Sequence, residues 1–471
     1  MNLFLKYITF SLAGLFGIVH TSCQNGTKNP SKPNVIIILA DDLGYADVGF
    51  NGSPDIKTPY IDQIAKNGIH FTNGYVSYAV CGPSRAGLIT GRYQDQFGFS
   101  RNPLFAPKDV SQGLPLSEQT LAEALHTVGY KNMAIGKWHL GAHKTQRPLE
   151  RGFDEFFGFL SGGHRYFPKD LNRNDISEVT AQFDAYNTKI LQNNTRIDEQ
   201  EYLTDAFSRE AVNFVKTNAH QPFFLYLAYN APHTPLEATE KYLSRYPEIK
   251  NEKRKTFAAM VSAVDDGVGN ILKTLRELEI EENTMIFFLS DNGGNESKGA
   301  NNGSLREGKG WLYEGGIRVP FAMQWPSVIK KSQKFEHPVI SLDIFATVAA
   351  QSKINPKNPL DGVDLIPYLT GHMSQPPHEA IFWRHYDRDA FAVRTGASKY
   401  VKDRNGKKGL FDITKDISES NAVPDSLEIQ KLKAQYDAWN SSNIPPQFDG
   451  LMQNKSYNQT HPNRFKDVEK Y

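Results

Sequence analysis

The chain has 471 residues, of which 39% are hydrophobic, 12% aromatic and 22% charged, a composition that supports a large core and excludes a mainly disordered or fibrous protein. Lys plus Arg number 53 against 52 Asp plus Glu, a net charge of +1. No global field therefore draws in nucleic acid or an acidic polymer, and a site for an anion has to be built locally. The length allows about three units, or one large α/β domain with a smaller companion. Two cysteines, Cys23 and Cys81, exclude a disulfide framework and a multi-cysteine zinc site. They could pair with each other, or each could be a small buried apolar residue.

Residues 1–23 read as an export signal. Lys6 precedes an apolar run at 7–19 that is too short to span a bilayer, and His20-Thr21-Ser22-Cys23 follows. A small residue before a lone Cys23 resembles a bacterial lipoprotein processing site, with His20 standing where such sites carry an aliphatic residue. Lipidation of Cys23 and plain signal-peptidase cleavage are the two readings. Both place the protein in the periplasm or at the cell surface, and the first anchors it to the outer membrane through a polar tether at 24–33.

Residues 34–40 form a β-branched run that reads as a strand buried on both faces, as in a parallel sheet. A helix is predicted over 59–66, with Thr58 at its N-cap and Gly68 beyond its end. Another is predicted over 117–128, followed by a strand at 132–136. Residues 203–217 read as helix, 222–229 as an apolar strand, 255–278 as a long amphipathic helix, 284–290 as a strand and 342–350 as helix. Strands alternating with helices argue for a mostly parallel, doubly wound sheet. After about residue 365 the texture changes to short strands at 380–383, 391–393 and 400–401, a hairpin turn at Asn405-Gly406 and a helix at 427–439. The boundaries this gives are an α/β domain at 34–365, an antiparallel α+β subdomain at 366–453 and a polar surface tail at 454–471.

In open α/β sheets, ligands bind beyond the carboxyl ends of the strands. Asp41-Asp42, Lys137-Trp138-His139, Asn230-Ala-Pro-His233 and Asp291-Asn292 all follow predicted strands. Asp41, Asp42, Asp291 and the Asn292 carbonyl are oxygen donors, a set that suits Ca²⁺ or Mg²⁺ and suits zinc poorly. Pro83 fits the first turn of a helix, which puts Cys81 at that helix's positive end with Arg85 one turn on. Such a start is a site for a nucleophile and an anion, or an ordinary capped helix with a buried Cys.

The segment Cys81-Gly-Pro-Ser-Arg-Ala-Gly-Leu-Ile-Thr-Gly91 resembles the sulfatase signature Cys-x-Pro-Ser-Arg-x-x-x-Leu/Ile-Thr-Gly at every defined position. Asp41-Asp42, Gly136-Lys-Trp-His-Leu140, Ala231-Pro-His-Thr-Pro235, Ser290-Asp-Asn-Gly-Gly294, Gly308-Lys-Gly310 and Tyr313-Glu-Gly-Gly-Ile-Arg-Val-Pro320 follow the same family's order and spacing. The resemblance covers about residues 33–440. It implies an alkaline-phosphatase-like α/β sandwich with a small C-terminal domain, a sulfatase activity and one Ca²⁺ held by Asp41, Asp42, Asp291, Asn292 and the residue at Cys81. It implies that Cys81 is converted to Cα-formylglycine by a formylglycine-generating or anaerobic sulfatase-maturating enzyme. The hydrate of that aldehyde offers one hydroxyl to attack sulfur and a second that lets sulfate leave. By the same resemblance Arg85 holds the hydrate, Lys137 and Lys309 bind sulfate oxygens, His139 takes a proton during release, and His233, with Lys309, protonates the leaving alcohol.

The alcohol half of a substrate is read by loops. His164-Arg165-Tyr166 and Arg384-His385-Tyr386 mix cations with an aromatic, which suits an anionic sugar or a salt-bridged surface loop. His164, Arg165, Arg384 and His385 are thus the candidate rim, and Arg101 and Asn102 are weaker ones. An exported sulfatase points to a sulfated carbohydrate, such as ulvan, carrageenan or a glycosaminoglycan. The alternative is a phosphonate or phosphate ester hydrolase of the same superfamily, which the Lys137, His139 and Lys309 segments match less closely. An inactive glycan-binding protein would show a substituted Cys81 or Asp291, and neither is substituted.

Overall fold

The run NVIIILA becomes strand β1 (Asn34–Ala40), buried along its whole length. Its alternation sends Val35, Ile37 and Leu39 into one apolar layer and Ile36, Ile38 and Ala40 into the other. This computed structural model describes residues 32–174 and 176–465. The expected export signal, Cys23 and the tether up to residue 31 lie outside the described residues. Among the described residues no helix is long and apolar enough to cross a membrane.

The further strands are β2 (Ile69–Phe71), β3 (Gly74–Tyr75), β4 (Lys131–Lys137), β5 (Glu155–Phe159), β6 (Ile190–Gln192), β7 (Thr195–Ile197) and β8 (Phe223–Ala228). They continue with β9 (Thr284–Ser290), β10 (Phe321–Gln324), β11 (Gln333–Phe335), β12 (Val339–Ile340), β13 (Ile381–His385), β14 (Ala390–Thr395), β15 (Ser398–Lys402) and β16 (Lys408–Asp412). Ten of them form one sheet in the order β11-β2-β10-β9-β1-β8-β4-β5-β6-β7. The centre, β9-β1-β8-β4-β5, is parallel, with Ile36 level with Leu225 on one side and Ile286 on the other. The edges carry antiparallel strands, β10 against β9 and β6 against β5.

Helices Pro59–Asn67, Leu203–Asn218 and Glu252–Glu277 cover the face that Ile36 and Ile38 enter. Helices Cys81–Thr90, Leu121–His126 and Asp343–Gln351 cover the other. The result is the three-layer α/β sandwich expected from the alternation of elements. The smaller sheet, β13-β14-β15-β16, is antiparallel throughout. One of its faces packs Trp383, Ala392 and Val401 against Tyr75, Tyr93 and Tyr313. The other packs Val393 and Leu410 against Leu432 and Tyr436 of helix Ser426–Asn440.

Two expectations need correction. The helix predicted over 117–128 spans only Leu121–His126, because Thr120 caps it. The Thr120 hydroxyl accepts from Glu123 N (3.0 Å) while Glu123 accepts from Thr120 N (2.7 Å), a reciprocal pair that fixes the start. The C-terminal segment is not merely a polar surface tail. It forms helix Asn454–Thr460, and Tyr457 is buried against Leu104 and Ala106. Cys81 is a buried free thiol among the described residues, and Cys23 lies outside them. The strands β2, β3, β5 to β7, β10 to β12 and β16 were not apparent from the chain pattern, being short or at sheet edges.

Candidate active site

The sheet order decides the site. Strands β9, β1, β8 and β4 are adjacent and parallel, so the segments leaving their carboxyl ends converge. Asp41-Asp42 leave β1, Asp291-Asn292 leave β9, Asn230 to His233 leave β8, and Lys137 to His139 leave β4. The backbone is bent at two of these ends. Asp42 (φ 64°) and His139 (φ 57°) both occupy the left-handed region, uncommon for residues with a side chain.

The helix Cys81–Thr90 starts against the same edge and has its whole length buried. Arg85 reaches from it to Asp291 Oδ2, with Nε at 2.9 Å and Nη2 at 2.8 Å, and donates through Nη1 to the Lys137 carbonyl (3.0 Å). Lys137 Nζ lies 2.6 Å from Asp41 Oδ2, and Lys309 Nζ lies 2.6 Å from Asp42 Oδ1. Asn292 Nδ2 donates to the same Asp42 oxygen (2.8 Å). Lys309 is brought in by the loop after β9, where Lys309 N bonds Gly294 O and Gly310 N bonds Ala79 O. All the residues singled out in the sequence as nucleophile, metal ligands and acid–base groups therefore stand in one cluster.

The acceptors of this cluster are incompletely matched. Asp41 Oδ1 and Asn292 Oδ1 are buried without a hydrogen-bond partner, and Asp291 Oδ1 has one long contact, from Asp42 N at 3.3 Å. Ligand atoms of Asp41, Cys81 and Asp291 lie within 4.8 Å of one another, as do those of Asp41, Asp42 and His233. Burial, with Asp291 facing it, pushes the Asp41 carboxyl up to about 7. Orphaned oxygens and a carboxylate deprived of enough positive charge fit a hard cation such as Ca²⁺. Asp42 is held below the usual carboxylate range because, against its burial, Lys309 touches it. Lys309 in turn is kept protonated by Asp42 despite its burial.

The two histidines are neutral bases in this field. Burial and then Lys137, Arg85 and Lys309 hold His139 well below the ordinary imidazole range, and its Nδ1 is buried without a partner. His233 is pushed down to about 3 by burial and Lys309. Its Nδ1 donates to the Thr234 carbonyl (2.6 Å), which leaves Nε2 as the free lone pair, 3.8 Å from Asp42 Oδ2.

The proposed rim is not assembled. His164 is fully buried, tilted against the Phe159 ring with centroids 4.5 Å apart, and it bonds Arg165 O and Thr188 Oγ1. Arg384 is buried on Asp95 (2.9 Å) and the Ile444 carbonyl (2.7 Å). Arg165 is held between Glu237 (2.9 Å) and Asp170 (3.7 Å). The two arginines are neutralised within the fold by carboxylates distant in sequence, Arg165 by Glu237 and Arg384 by Asp95. His385 packs near the Tyr78 ring with its Nδ1 unpartnered. The loop at Gly162 contributes through its lack of a side chain, since a Cβ there would stand 2.6 Å from His139 Nε2.

Asn102 proves central. Its Oδ1 accepts from Gly82 N (2.8 Å) and lies 3.6 Å from Cys81 Sγ. Tyr186 was missed. It packs on Gly163 in the electrostatic reach of Cys81 and Lys309, from an irregular segment with no motif to betray it.

Comparisons with known proteins establish the family to which the chain belongs. Residues 33–354 match the Sulfatase family model, and 307–439 match that of N-sulphoglucosamine sulphohydrolase, C-terminal. N-acetylgalactosamine-6-sulfatase of Homo sapiens is 34% identical over 354 residues, covering 72% of this chain and 66% of that protein. The structure of Ps i-CgsB in complex with k-i-k-neocarrahexaose is 40% identical with a TM-score of 0.85, covering 92% of this chain and 98% of that one. The phosphonate monoester hydrolase of Agrobacterium radiobacter, 21% identical with a TM-score of 0.62 over 87% of this chain and 95% of that one, shares the fold alone. A signature helix that delivers Cys81 to four converging strand ends, and a family match across two thirds of the sequence, lead to one conclusion: the chain belongs to the sulfatases, hydrolases of sulfuric esters.

Proposed function

We propose that this sulfatase removes sulfate from a sulfated polysaccharide, or from oligosaccharides cut from one, using Cys81 matured to Cα-formylglycine and one Ca²⁺. The observation that carries the substrate class is the 40% identity, across 92% of the chain, with a protein whose structure holds a neocarrahexaose. Carrageenan-type glycans therefore stand ahead of ulvan and glycosaminoglycans. The phosphonate alternative has only a shared fold behind it.

Asp41, Asp42, Asp291 and Asn292 would hold the ion, with the residue at position 81 beside them. Bound Ca²⁺ would supply a Lewis acid that lowers the charge density on sulfate oxygens. The chain's own groups supply the rest. Lys137 and Lys309 bring two ammonium groups, fixed on Asp41 and Asp42, to the place an anion must enter. Arg85 fixes the start of the nucleophile's helix against β9. His139, kept neutral, accepts a proton. His233 presents Nε2, and an arriving sulfate offsets the Lys309 charge that depresses its basicity, so it can hold the proton that the leaving alcohol needs.

Export through residues 1–23, with Cys23 as a lipid anchor in the outer membrane or as a cleavage neighbour, places the enzyme where such polymers are met. A formylglycine-generating or anaerobic maturating enzyme is its partner in biogenesis. The test is a panel of neocarra-, ulvan and glycosaminoglycan oligosaccharides, with released sulfate and residual glycan both measured. Release from an aryl sulfate with none from any glycan would reject the substrate class.

A further inference from the structure

The two rim arginines expected from sequence, Arg165 and Arg384, are neutralised by carboxylates, and the cation beside the catalytic lysine comes from elsewhere. Arg404 sits at the tip of the β15–β16 hairpin, exposed to solvent, and among the described residues it forms no ion pair. Its guanidinium carbon lies 3.6 Å from the centre of the Trp311 ring, a stacked contact. Trp311 is two residues from Lys309, and a Cβ on the intervening Gly310 would be 3.9 Å from Arg404 Nη1. The guanidinium therefore overhangs the loop that delivers Lys309 to Asp42.

The turn that carries Arg404 is rigid. Asp403 is buried, and its Oδ1 accepts from Asn405 N and Lys407 N, both at 2.9 Å. Its other oxygen accepts from the Tyr313 hydroxyl (3.1 Å), which ties the hairpin to the α/β domain. Gly406 supplies the left-handed residue the turn requires, at φ 81°. The His385 imidazole, lowered mainly by its burial, also feels the Arg404 charge, so the two lie within electrostatic reach of each other. Trp311 fixes one face of the guanidinium and leaves its edge nitrogens, the ones that form a fork to an oxyanion, without a carboxylate.

We propose that Arg404, seated on Trp311, is a binding site for a second anionic group of the substrate, a sulfate ester or carboxylate on the glycan apart from the sulfate being cleaved. It would select multiply charged glycans over singly sulfated ones. This rests on the polysaccharide reading above. A second anion near Lys309 meets an unneutralised, oriented cation there, whereas Arg165 and Arg384 already hold carboxylates.

The experiment uses the full-length, matured, calcium-loaded enzyme and its Arg404→Ala, Arg404→Lys and Trp311→Leu variants. Each is assayed on 4-nitrophenyl sulfate and on oligosaccharides of each glycan class bearing one or two anionic groups per disaccharide. Arg404→Ala should lower the ratio of kcat/KM on the doubly charged glycan to that on the aryl sulfate by about ten- to a hundredfold, through KM. Arg404→Lys should recover part of it, keeping the charge without the fork, and Trp311→Leu should lose part. A ratio that stays the same in Arg404→Ala overturns the proposal, as does an equal loss on both substrates, which would mean that Arg404 supports Lys309. Wild-type enzyme that turns over the aryl sulfate and no glycan would instead reject the polysaccharide reading, and this inference with it.

Discussion

Arg85 holds Asp291 through two nitrogens on one oxygen, Nε at 2.9 Å and Nη2 at 2.8 Å, with neither side chain open to solvent. The same Nη2 is 3.7 Å from Asp41 Oδ2. One guanidinium thus joins the nucleophile's helix to the ends of β9 and β1, and through the Lys137 carbonyl to β4. Removing it leaves two buried carboxylates facing each other. Arg85→Met should cost about 3–5 kcal/mol of stability in chelator-treated protein, read from urea unfolding, and should abolish turnover. A cost under about 1 kcal/mol would mean that Asp291 and Asp41 are compensated by something other than Arg85.

Calcium should stabilise the folded chain. At a hundredfold excess over its Kd, a ligand specific to the native state adds about 2.7 kcal/mol. Thermal unfolding with Ca²⁺ and with a chelator should differ in wild type, and the difference should vanish in Asp41→Ala, whose Oδ1 is one of the orphaned acceptors. Elemental analysis of the two proteins gives a readout independent of catalysis. Full activity after chelation, in protein that contains no metal, would reject the assignment.

The central sheet was legible because its strands are long β-branched or apolar runs and its helices carry clear apolar faces. Strand ends, and hence the chemistry at Asp41, Lys137, His233 and Asp291, could be read from the same runs. Their meeting at one edge could not, since the order β9-β1-β8-β4 is fixed by pairings between residues as much as 250 apart, such as Asn34 with Thr284. The rim failed for a related reason. A cation's function depends on whether a carboxylate stands opposite, and those of Arg165 and Arg384, at Glu237 and Asp95, are 72 and 289 residues away. Arg404 looked like turn filler because Trp311, which orients it, is equally remote in sequence.

Arg101 and Asp387 form a fork between the segment that follows the signature helix and the small sheet, with Nη2 at 2.6 Å and Nε at 2.9 Å. Asn102, next in the chain, holds Gly82 N beside Cys81. A largely buried charge-assisted pair contributes about 1.5–3 kcal/mol. A double-mutant cycle of Arg101→Ala and Asp387→Ala should give a coupling energy above about 1 kcal/mol. Each single variant should also lower kcat, because Asn102 loses its anchor. Additive effects on stability with kcat preserved would show that the fork does not position the nucleophile.

His164 gives the protein a defined acid sensitivity. Full burial pushes its imidazole down to about 3, with no carboxylate beside it to pull the other way. A solvated histidine in the unfolded chain titrates near 6.5. As pH falls below that value the unfolded state takes up a proton that the native state refuses, so the contribution of His164 is complete above about 6.5 and is lost progressively toward about 3. At pH 5 the loss should be about 2 kcal/mol, from a gap of about one and a half pH units at 1.36 kcal/mol each. His164→Gln keeps hydrogen-bonding groups near Thr188 and the Arg165 carbonyl but cannot titrate. The other buried histidines, His139 and His233, are common to both proteins and cancel in the comparison. The difference in unfolding free energy between wild type and His164→Gln, measured by urea titration at pH 7 and pH 5, should therefore move by about 2 kcal/mol in favour of the variant on acidification. A difference that stays constant between those two pH values would mean that His164 takes up its proton in the folded state as readily as in the unfolded chain, and the burial account of its role would fail.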